Sequence, residues 1–347
     1  MRLLIVTQKV NKNDSVLGFF HEWIAEFAKH AERVTVVCLE KGEYDLPENV
    51  EVCSLGKENK RSRLRYLFRF FNHIIRRQKD NYDVVLVHMN PIYIVLAGWY
   101  WRLTRKKIAL WYTHKSVDWK LWIAEKYAHI IFTASKESFR LKSSKVVVTG
   151  HGINTDMFTP AYGEEQRAFS VLSVGRISKT KGHHIICQAV EILLKHGIDT
   201  KLTLVGTPTN KTDEEYQKDL QKKYGSFTTF VGAIPHAHMP AYFQQTNVFV
   251  NASQTESLDK TILESMACGT PVVSSNDSAI LSGVPRKPSR VGSSPISMIN
   301  SLISFLIRSL SIINLQPEDA LNDVDILRVG NVLLWNYSLL CIEDSRY

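Results

Sequence analysis

Residues 248–273 read Val-Phe-Val-Asn-Ala-Ser-Gln-Thr-Glu-Ser-Leu-Asp-Lys-Thr-Ile-Leu-Glu-Ser-Met-Ala-Cys-Gly-Thr-Pro-Val-Val. Both ends of this stretch, residues 248–251 and 271–274, are short β-branched runs of strand length. Between them, residues 261–267 read as a helix, and Gly269 followed by Pro271 marks its end. Strand, helix and strand in so short a span is the unit that builds a parallel sheet covered by helices. Glu256 falls in the loop before the helix, and Glu264 lies inside it. The helix presents its amino end, near Leu258 and Thr261, where N–H groups and the dipole favour a phosphate. A carboxylate accepts hydrogen bonds from paired hydroxyls, so Glu264 suits a ribose and Glu256 a sugar ring. The same two acids also fit an exposed amphipathic helix with incidental charges.

Outward from this stretch the same rhythm repeats. Residues 3–7, 34–39, 84–88, 108–112, 130–133 and 146–149 read as strands, and 16–30 as a helix. Residues 154–168 are polar, with Pro160 and Gly163, and read as a linker. The pattern then restarts: strands at 170–174, 202–205 and 227–231, and a helix at 182–196. The expectation is an α/β chain with two tandem Rossmann-like domains, 1–153 and 169–281. From about residue 282 to 347 serine is frequent and the rhythm is lost, so this segment is expected to be irregular.

Composition is compatible with that architecture. A length of 347 residues suits two domains, because single cores stop growing near ~250 residues. The apolar and charged fractions, 44% and 22%, exclude a disordered or collagen-like chain. The formal charge of +9 fits polyanionic partners: nucleic acid, anionic lipid or phosphorylated substrates. None of the five cysteines forms a Cys-x-x-Cys pair or a zinc-spaced cluster, so a reducing compartment is the simplest reading. The amino-terminal apolar run is too short for a signal peptide, and residues 91–101 are too short to span a bilayer. Residues 297–315 carry Asn300, Arg308 and several serines, and read as a helix rather than a span. A cytoplasmic location follows as an expectation.

Ligands of open parallel sheets bind beyond the carboxyl ends of the strands. In Ser173-Val174-Gly175-Arg176-Ile177-Ser178-Lys179-Thr180-Lys181-Gly182 a strand ends at Gly175, and Arg176 and Lys181 lie on the loop into the next helix. Arginine offers a planar fork and lysine a point charge, both suited to a diphosphate. A solvated basic loop would look the same. His114, in Leu110-Trp111-Tyr112-Thr113-His114-Lys115, follows a strand of the first domain; a lone histidine is ordinarily structural. In residues 57–80, Leu64, Leu67, Phe68, Phe71, Ile74 and Ile75 recur at helical spacing, while Arg61, Arg65, Arg69 and Arg76 line another face. Such a helix either lies on an anionic bilayer or packs its apolar stripe inward. Trp99, Tyr100, Trp101 and Arg102 extend either reading.

Together these motifs resemble the family-4 retaining glycosyltransferases of the GT-B fold (glycosyl transferases group 1), over roughly residues 1–280. The family pattern is Glu, seven residues, Glu, a small-residue helix, then Gly-x-Pro-Val-Val; here it runs from Glu256 and Glu264 to Gly269-Thr270-Pro271-Val272-Val273. Phe230-Val231-Gly232-Ala233-Ile234-Pro235 and Met239-Pro240-Ala241-Tyr242-Phe243 are similar to the family's preceding strand and helix. The resemblance implies two sheets facing across a cleft, a nucleotide-sugar donor, a glycan or glycolipid acceptor, and neither cofactor nor metal. It also implies roles by position. Arg176 and Lys181 would hold the donor diphosphate, Glu264 the ribose, and Glu256 the donor sugar, with Leu258 and Thr261 beside the phosphates. His114 would contact the sugar, and Gly18 falls near a glycine loop. Two departures stand out. The family often has Gly-Phe-Gly where this chain has Ser257-Leu258-Asp259, and adjacent glycines where it has Gly18 alone. A nucleotide-sugar epimerase, or a binding subunit without activity, fits the same residues. No nucleic-acid-binding module is recognisable.

Overall fold

The run Leu3-Leu4-Ile5-Val6 lacks the alternation of a half-exposed strand, and all four side chains are buried. Leu4 and Val6 join one hydrophobic cluster and Leu3 and Ile5 another, so both faces of the strand are covered. The computed structural model describes residues 1–60, 62–77, 82–161, 169–253, 259–275, 328–329 and 332–335, with backbone alone at 76–77, 328–329 and 332–335. The chain divides into two units. One comprises Met1–Gly150 with Pro235–Ala237, the other His151–Ile234 with His238–Tyr347.

In the first unit the elements are β1 (Arg2–Val10), α1 (Gly18–His30), β2 (Arg33–Lys41), β3 (Val50–Ser54), α2 (Arg63–Phe71), β4 (Val84–His88), α3 (Ile92–Leu103), β5 (Lys107–Trp111), α4 (Trp119–Tyr127), β6 (Ile130–Thr133) and β7 (Val146–Val148). The strands pair in parallel in the order β3-β2-β1-β4-β5-β6-β7. Helix α1 covers one face through Phe20, Ile24 and Ala28. Helices α2, α3 and α4 cover the other, through Phe70, Ile94, Trp101 and Leu121.

The second unit repeats the plan with β8 (Phe169–Val174), α5 (His183–Lys195), β9 (Thr200–Val205), α6 (Lys211–Tyr224), β10 (Thr228–Gly232), α7 (Met239–Gln244), β11 (Val248–Asn251), α8 (Lys260–Ala267) and β12 (Val272–Ser274). Five parallel strands run in the order β10-β9-β8-β11-β12. Two short antiparallel strands, β13 (Arg328–Val329) and β14 (Val332–Trp335), extend the β12 edge. Helices α5 and α6 pack around Val171, and α7 and α8 around Leu172. The expected tandem α/β architecture is therefore present.

Three details differ from the sequence reading. Strand β3 and helix α4 were not expected; β3 carries glutamate and cysteine among its valines, and α4 has almost no apolar periodicity. The expected linker is not wholly linker. Phe158 is buried against Leu172, Phe243 and Phe249 in the second unit, while 162–168 lie outside the described residues. The segment expected to be irregular after residue 281 also lies outside them, β13 and β14 excepted.

The carboxyl ends of β8, β9 and β10 carry Gly175, Gly206 and Gly232, at φ +149°, +140° and +85°. The Gly206 amide donates to Gly232 O at 2.8 Å, and the Gly175 amide to Val205 O at 2.9 Å. A Cβ on Gly206 would overlap the Gly175 carbonyl oxygen, whereas one on Gly232 would meet no atom within 4 Å. Gly206→Ala should therefore destabilise by about 3 kcal/mol, from backbone strain plus overlap. Gly232→Ala should cost only the backbone term, about 1–2 kcal/mol. Urea unfolding of the two variants checks the ranking; equal losses would remove the overlap from the account.

Candidate functional site

An open parallel sheet offers its ligand crevice where the strand order reverses, because the loops leaving those two strands diverge to opposite faces. In the second unit that point lies between β8 and β11. From β8 the chain passes through Gly175 and the exposed Arg176 to a short turn, Lys179–Lys181, and then α5. Gly182, at φ +70°, joins that turn to α5, and a Cβ there would overlap the Ala252 carbonyl oxygen beyond β11. Glycine is thus what allows the two loops to touch.

Their contact brings charge together. Lys181 Nζ donates to both carboxylate oxygens of Asp259, at 2.9 and 2.8 Å. Asn251 Nδ2 at the end of β11 donates to Asp259 Oδ2 at 2.8 Å. Asp259 occupies the residue before α8 with extended backbone, yet its side chain caps nothing. Asp118 and Asn210, at the same position of α4 and α6, each accept a helix amide at 2.9 Å. Forgoing such a cap costs about 1 kcal/mol, so the pull of Lys181 and Asn251 exceeds it. Among the described residues no acid pairs with Arg176.

Helix α8 ends as its sequence requires. The Thr270 amide donates to Ser265 O and that of Gly269, at φ +75°, to Met266 O, both at 3.0 Å. This paired closure satisfies the last carbonyls and explains the Gly-x-Pro punctuation. Glu264 lies on the inner side of α8, only 3% exposed, and pairs with Lys260 at 3.2 Å. Thr261 sits half-buried in the first turn. Glu256 and Leu258 lie outside the described residues. His183, the first residue of α5, was not singled out by its sequence, where it reads only as one of two adjacent histidines. It is buried, and among the described residues its Nδ1 has no partner. Burial, with smaller contributions from Lys181 and His184, outweighs the Ser178 backbone and pushes its pKa down to about 4.

In the first unit the order reverses between β1 and β4. Gly18 opens α1, and its amide is taken by Asp14 O at 3.0 Å. The Asp14 carboxylate accepts the amides of Val16 and Leu17, at 2.9 and 2.7 Å, and pairs with Lys9 at 2.9 Å. Burial opposes its charge, but those amides and Lys9 hold the carboxyl below its ordinary pKa. The amides that a lone glycine loop offers are thus filled by the chain's own carboxylate. His114 is exposed beyond β5; its Nδ1 accepts the Ser116 amide at 3.1 Å, which leaves the proton of the neutral ring on Nε2. His88, unnoticed in sequence at the end of an apolar run, is buried at the end of β4. It stacks on Phe20 at 3.8 Å, bonds Thr7 Oγ1 at 3.1 Å, and burial lowers its pKa to about 3.

The basic amphipathic helix divides differently from expectation. The sequence put Leu64, Leu67 and Phe68 on one stripe with Phe71, Ile74 and Ile75. Phe70 and Ile74 are buried, whereas Leu64 and Phe68 are 78% and 72% exposed. After α2 the chain passes into a π-type turn, Asn72–Arg77, which rotates the inward face. Arg65 is exposed, and Arg69 donates to Leu55 O at 3.5 Å. Arg61 and the side chain of Arg76 lie outside the described residues. The neighbouring helices expose Trp99 and Leu103 on α3, and Trp119 and Trp122 on α4. Neither α2 nor α3 contains an acid, and Lys120 and Lys126 lie over the rings of Trp119 and Trp122. Among the described residues no helix is long and apolar enough to cross a membrane, and no three His, Cys, Asp or Glu side chains are grouped to hold a metal ion.

Comparison with known proteins bears on the fold and on residues 156–284. Residues 156–284 match the family model described as Glycosyl transferases group 1. A D-inositol 3-phosphate glycosyltransferase of Paenarthrobacter aurescens is 28% identical over 143 residues, 38% of this chain and 35% of that protein. The first curated relatives are matched over only 32–40% of their own lengths. Over a longer span, a sucrose-phosphate synthase of Thermosynechococcus elongatus superposes with TM-score 0.67 at 17% identity, covering 89% of this chain and 91% of that one. Anabaena HepE, crystallised with UDP and glucose, does so with TM-score 0.65 at 15% identity over the same shares. The fold is GT-B.

The buried His183 generates a pH dependence. Its folded pKa, about 4, lies below the ordinary 6.5, so on acidification the unfolded chain takes up the proton first. Stability from this residue is complete above pH 6.5 and is lost as pH falls through 4, by at most about 3 kcal/mol. Urea midpoints between pH 7 and 4.5 should fall more steeply for the parent chain than for His183→Gln; parallel slopes would remove His183 as the cause.

Proposed function

We propose that this chain, whose GT-B fold contains a glycosyl transferases group 1 segment, is a retaining, metal-independent hexosyltransferase. It moves a sugar from a nucleoside diphosphate donor to a glycan, lipid-linked or cell-envelope polysaccharide acceptor. The observation that carries this reading is the loop after β8, which bears Arg176 and Lys181 and whose Lys181 reaches Asp259 at the amino end of α8, where the strand order reverses. Two cations and helix amides at such a point suit a diphosphate. The group 1 match over residues 156–284 covers the same loops.

In the reaction, the bond from the anomeric carbon to the diphosphate oxygen breaks, and the acceptor hydroxyl oxygen bonds that carbon on the same face. The acceptor proton passes to the departing diphosphate. The protein's task is then to neutralise charge growing on the diphosphate and to orient the sugar, with no carboxylate nucleophile of its own. Arg176 and Lys181 do the first, with Leu258 and Thr261 beside the phosphates, Glu264 holds the ribose, and Glu256 and His114 orient the sugar. Gly18 lies on the acceptor-side unit, where its role is steric: a Cβ there would press on Lys12 O at 3.2 Å.

The acceptor reading rests on the outward faces of α2, α3 and α4. Exposed Leu64, Phe68, Trp99, Leu103 and Trp122, flanked by arginine and lysine and nearly free of acids, suit the anionic surface of a bilayer. Arg61, Arg65, Arg69 and Arg76 supply the attraction, on the cytoplasmic leaflet.

Binding of UDP-, GDP- and ADP-sugars without added metal tests the donor site. One of them should bind, and Arg176→Ala or Lys181→Ala should weaken it at least tenfold; undiminished binding in both variants would refute the assignment. Flotation with liposomes tests the surface. Association should require anionic lipid and should fall severalfold in Leu64→Asp/Phe68→Asp and in Arg65→Glu. If charge reversal and apolar loss both leave flotation unchanged, those helices are scaffold only.

A further inference from the structure

We infer that Asp259 is an internal competitor for Lys181, holding the lysine against its carboxylate so that a donor or product diphosphate must take the ammonium from it. The inference rests on the donor site proposed above and concerns what sets affinity there. Three observations carry it. The contact is two-pronged, Lys181 Nζ reaching both Asp259 oxygens at 2.8 and 2.9 Å, so two of three ammonium protons are committed. Asp259 stands before α8 with backbone suited to capping, but it does not cap, unlike Asp118 and Asn210 in the same chain. Its carboxylate is therefore held by partners it can leave, with the helix amides beside it as alternative donors. The next residue repeats the logic with opposite sign: Lys260 pairs with the buried Glu264 at 3.2 Å. The Asp259-Lys260 dipeptide thus places one counter-charge on each of two residues expected to touch the donor.

Two effects oppose each other when Asp259 loses its charge. Lys181 becomes freer and must be ordered by the ligand, which weakens binding. The ammonium of Lys181 is also no longer committed to a carboxylate, so its whole charge is open to the incoming phosphates, which strengthens it. Lys181 and Asp259 are only 20% and 19% exposed. At such a partly buried position, the Lys181–Asp259 attraction between unit charges a few ångströms apart, which a diphosphate must break, outweighs the ordering of one lysine. Competition therefore wins, and Asp259 is expected to weaken phosphate binding and to hasten departure of the nucleoside diphosphate left by sugar transfer. Asn251, which also holds Asp259 at 2.8 Å, keeps the carboxylate close enough to return.

Calorimetry with inorganic pyrophosphate, UDP, GDP, ADP and the matching free nucleosides decides the matter. The proteins are the full-length parent, Asp259→Asn, Lys181→Ala and the double variant, each checked for an unchanged melting temperature. Asp259→Asn should bind pyrophosphate and the preferred nucleoside diphosphate about tenfold more tightly, leave the nucleoside unchanged, and slow diphosphate release. The gain should vanish in the double variant. Weaker or unchanged diphosphate binding in Asp259→Asn overturns the competition, as does a gain that survives without Lys181. Parent protein that binds none of the phosphates overturns the donor site itself, and the competition with it. Tightening of the free nucleoside to the same extent would also refute it, because that effect would not run through Lys181.

Discussion

The parallel pairing of β8 with β11, Val171 beside Val248 and Leu172 beside Phe249, is the constraint on which the second unit depends. Parallel neighbours end at the same edge of the sheet, so the loops that follow them emerge together whatever their separation in the chain. Lys181 and Asp259 are 78 positions apart and share an ion pair for that reason. The close passage of Gly182 beneath the Ala252 carbonyl fixes how near the loops come. Shifting either strand by one residue would exchange the faces of Val171 and Leu172 and separate both helical layers from their clusters.

Both units place an aspartate at the edge where their strand order reverses, and the two serve different physics. Asp14 is held by two backbone amides and by Lys9, and its carboxyl stays acidic despite burial. Those bonds belong to the loop's own fold, and removing the carboxylate would take the acceptor from the Val16 and Leu17 amides. Among the described residues, Asp259 is held by the side chains of Lys181 and Asn251, each able to find other partners. One carboxylate closes a turn; the other occupies a cation. The difference lies in whether backbone or side chain supplies the donor, and it separates a structural acid from an exchangeable one.

Much of the architecture was legible because a strand buried on both faces must be apolar throughout. Residues 3–6, 84–87 and 248–250 satisfy that requirement. Helix α8 was legible at its end, where Gly269 must take positive φ for the closing bonds to form. Strand β3 was not, because Glu51 and Cys53 break its apolar character at the sheet edge. Helix α4 was not, because Trp119 and Trp122 face outward and erase the periodicity that a packed helix shows. The stripe of α2 was misjudged for a related reason: both sides of that helix carry large apolar residues, and spacing alone cannot say which side meets the sheet.

Local sequence determined what depends on neighbours a few positions away: strand and helix alternation, the glycine-closed end of α8, the loop bearing Arg176 and Lys181, and two sheets in tandem. Tertiary structure alone decided which charges meet. Nothing in Ser257-Leu258-Asp259-Lys260 announces that Asp259 would leave its own helix uncapped to hold Lys181, or that Lys260 would neutralise Glu264. The physical reason is range. Caps and turns close over one helical turn, whereas an ion pair forms wherever parallel strands deliver two loops to one edge, and that juxtaposition is a property of strand order rather than of sequence spacing.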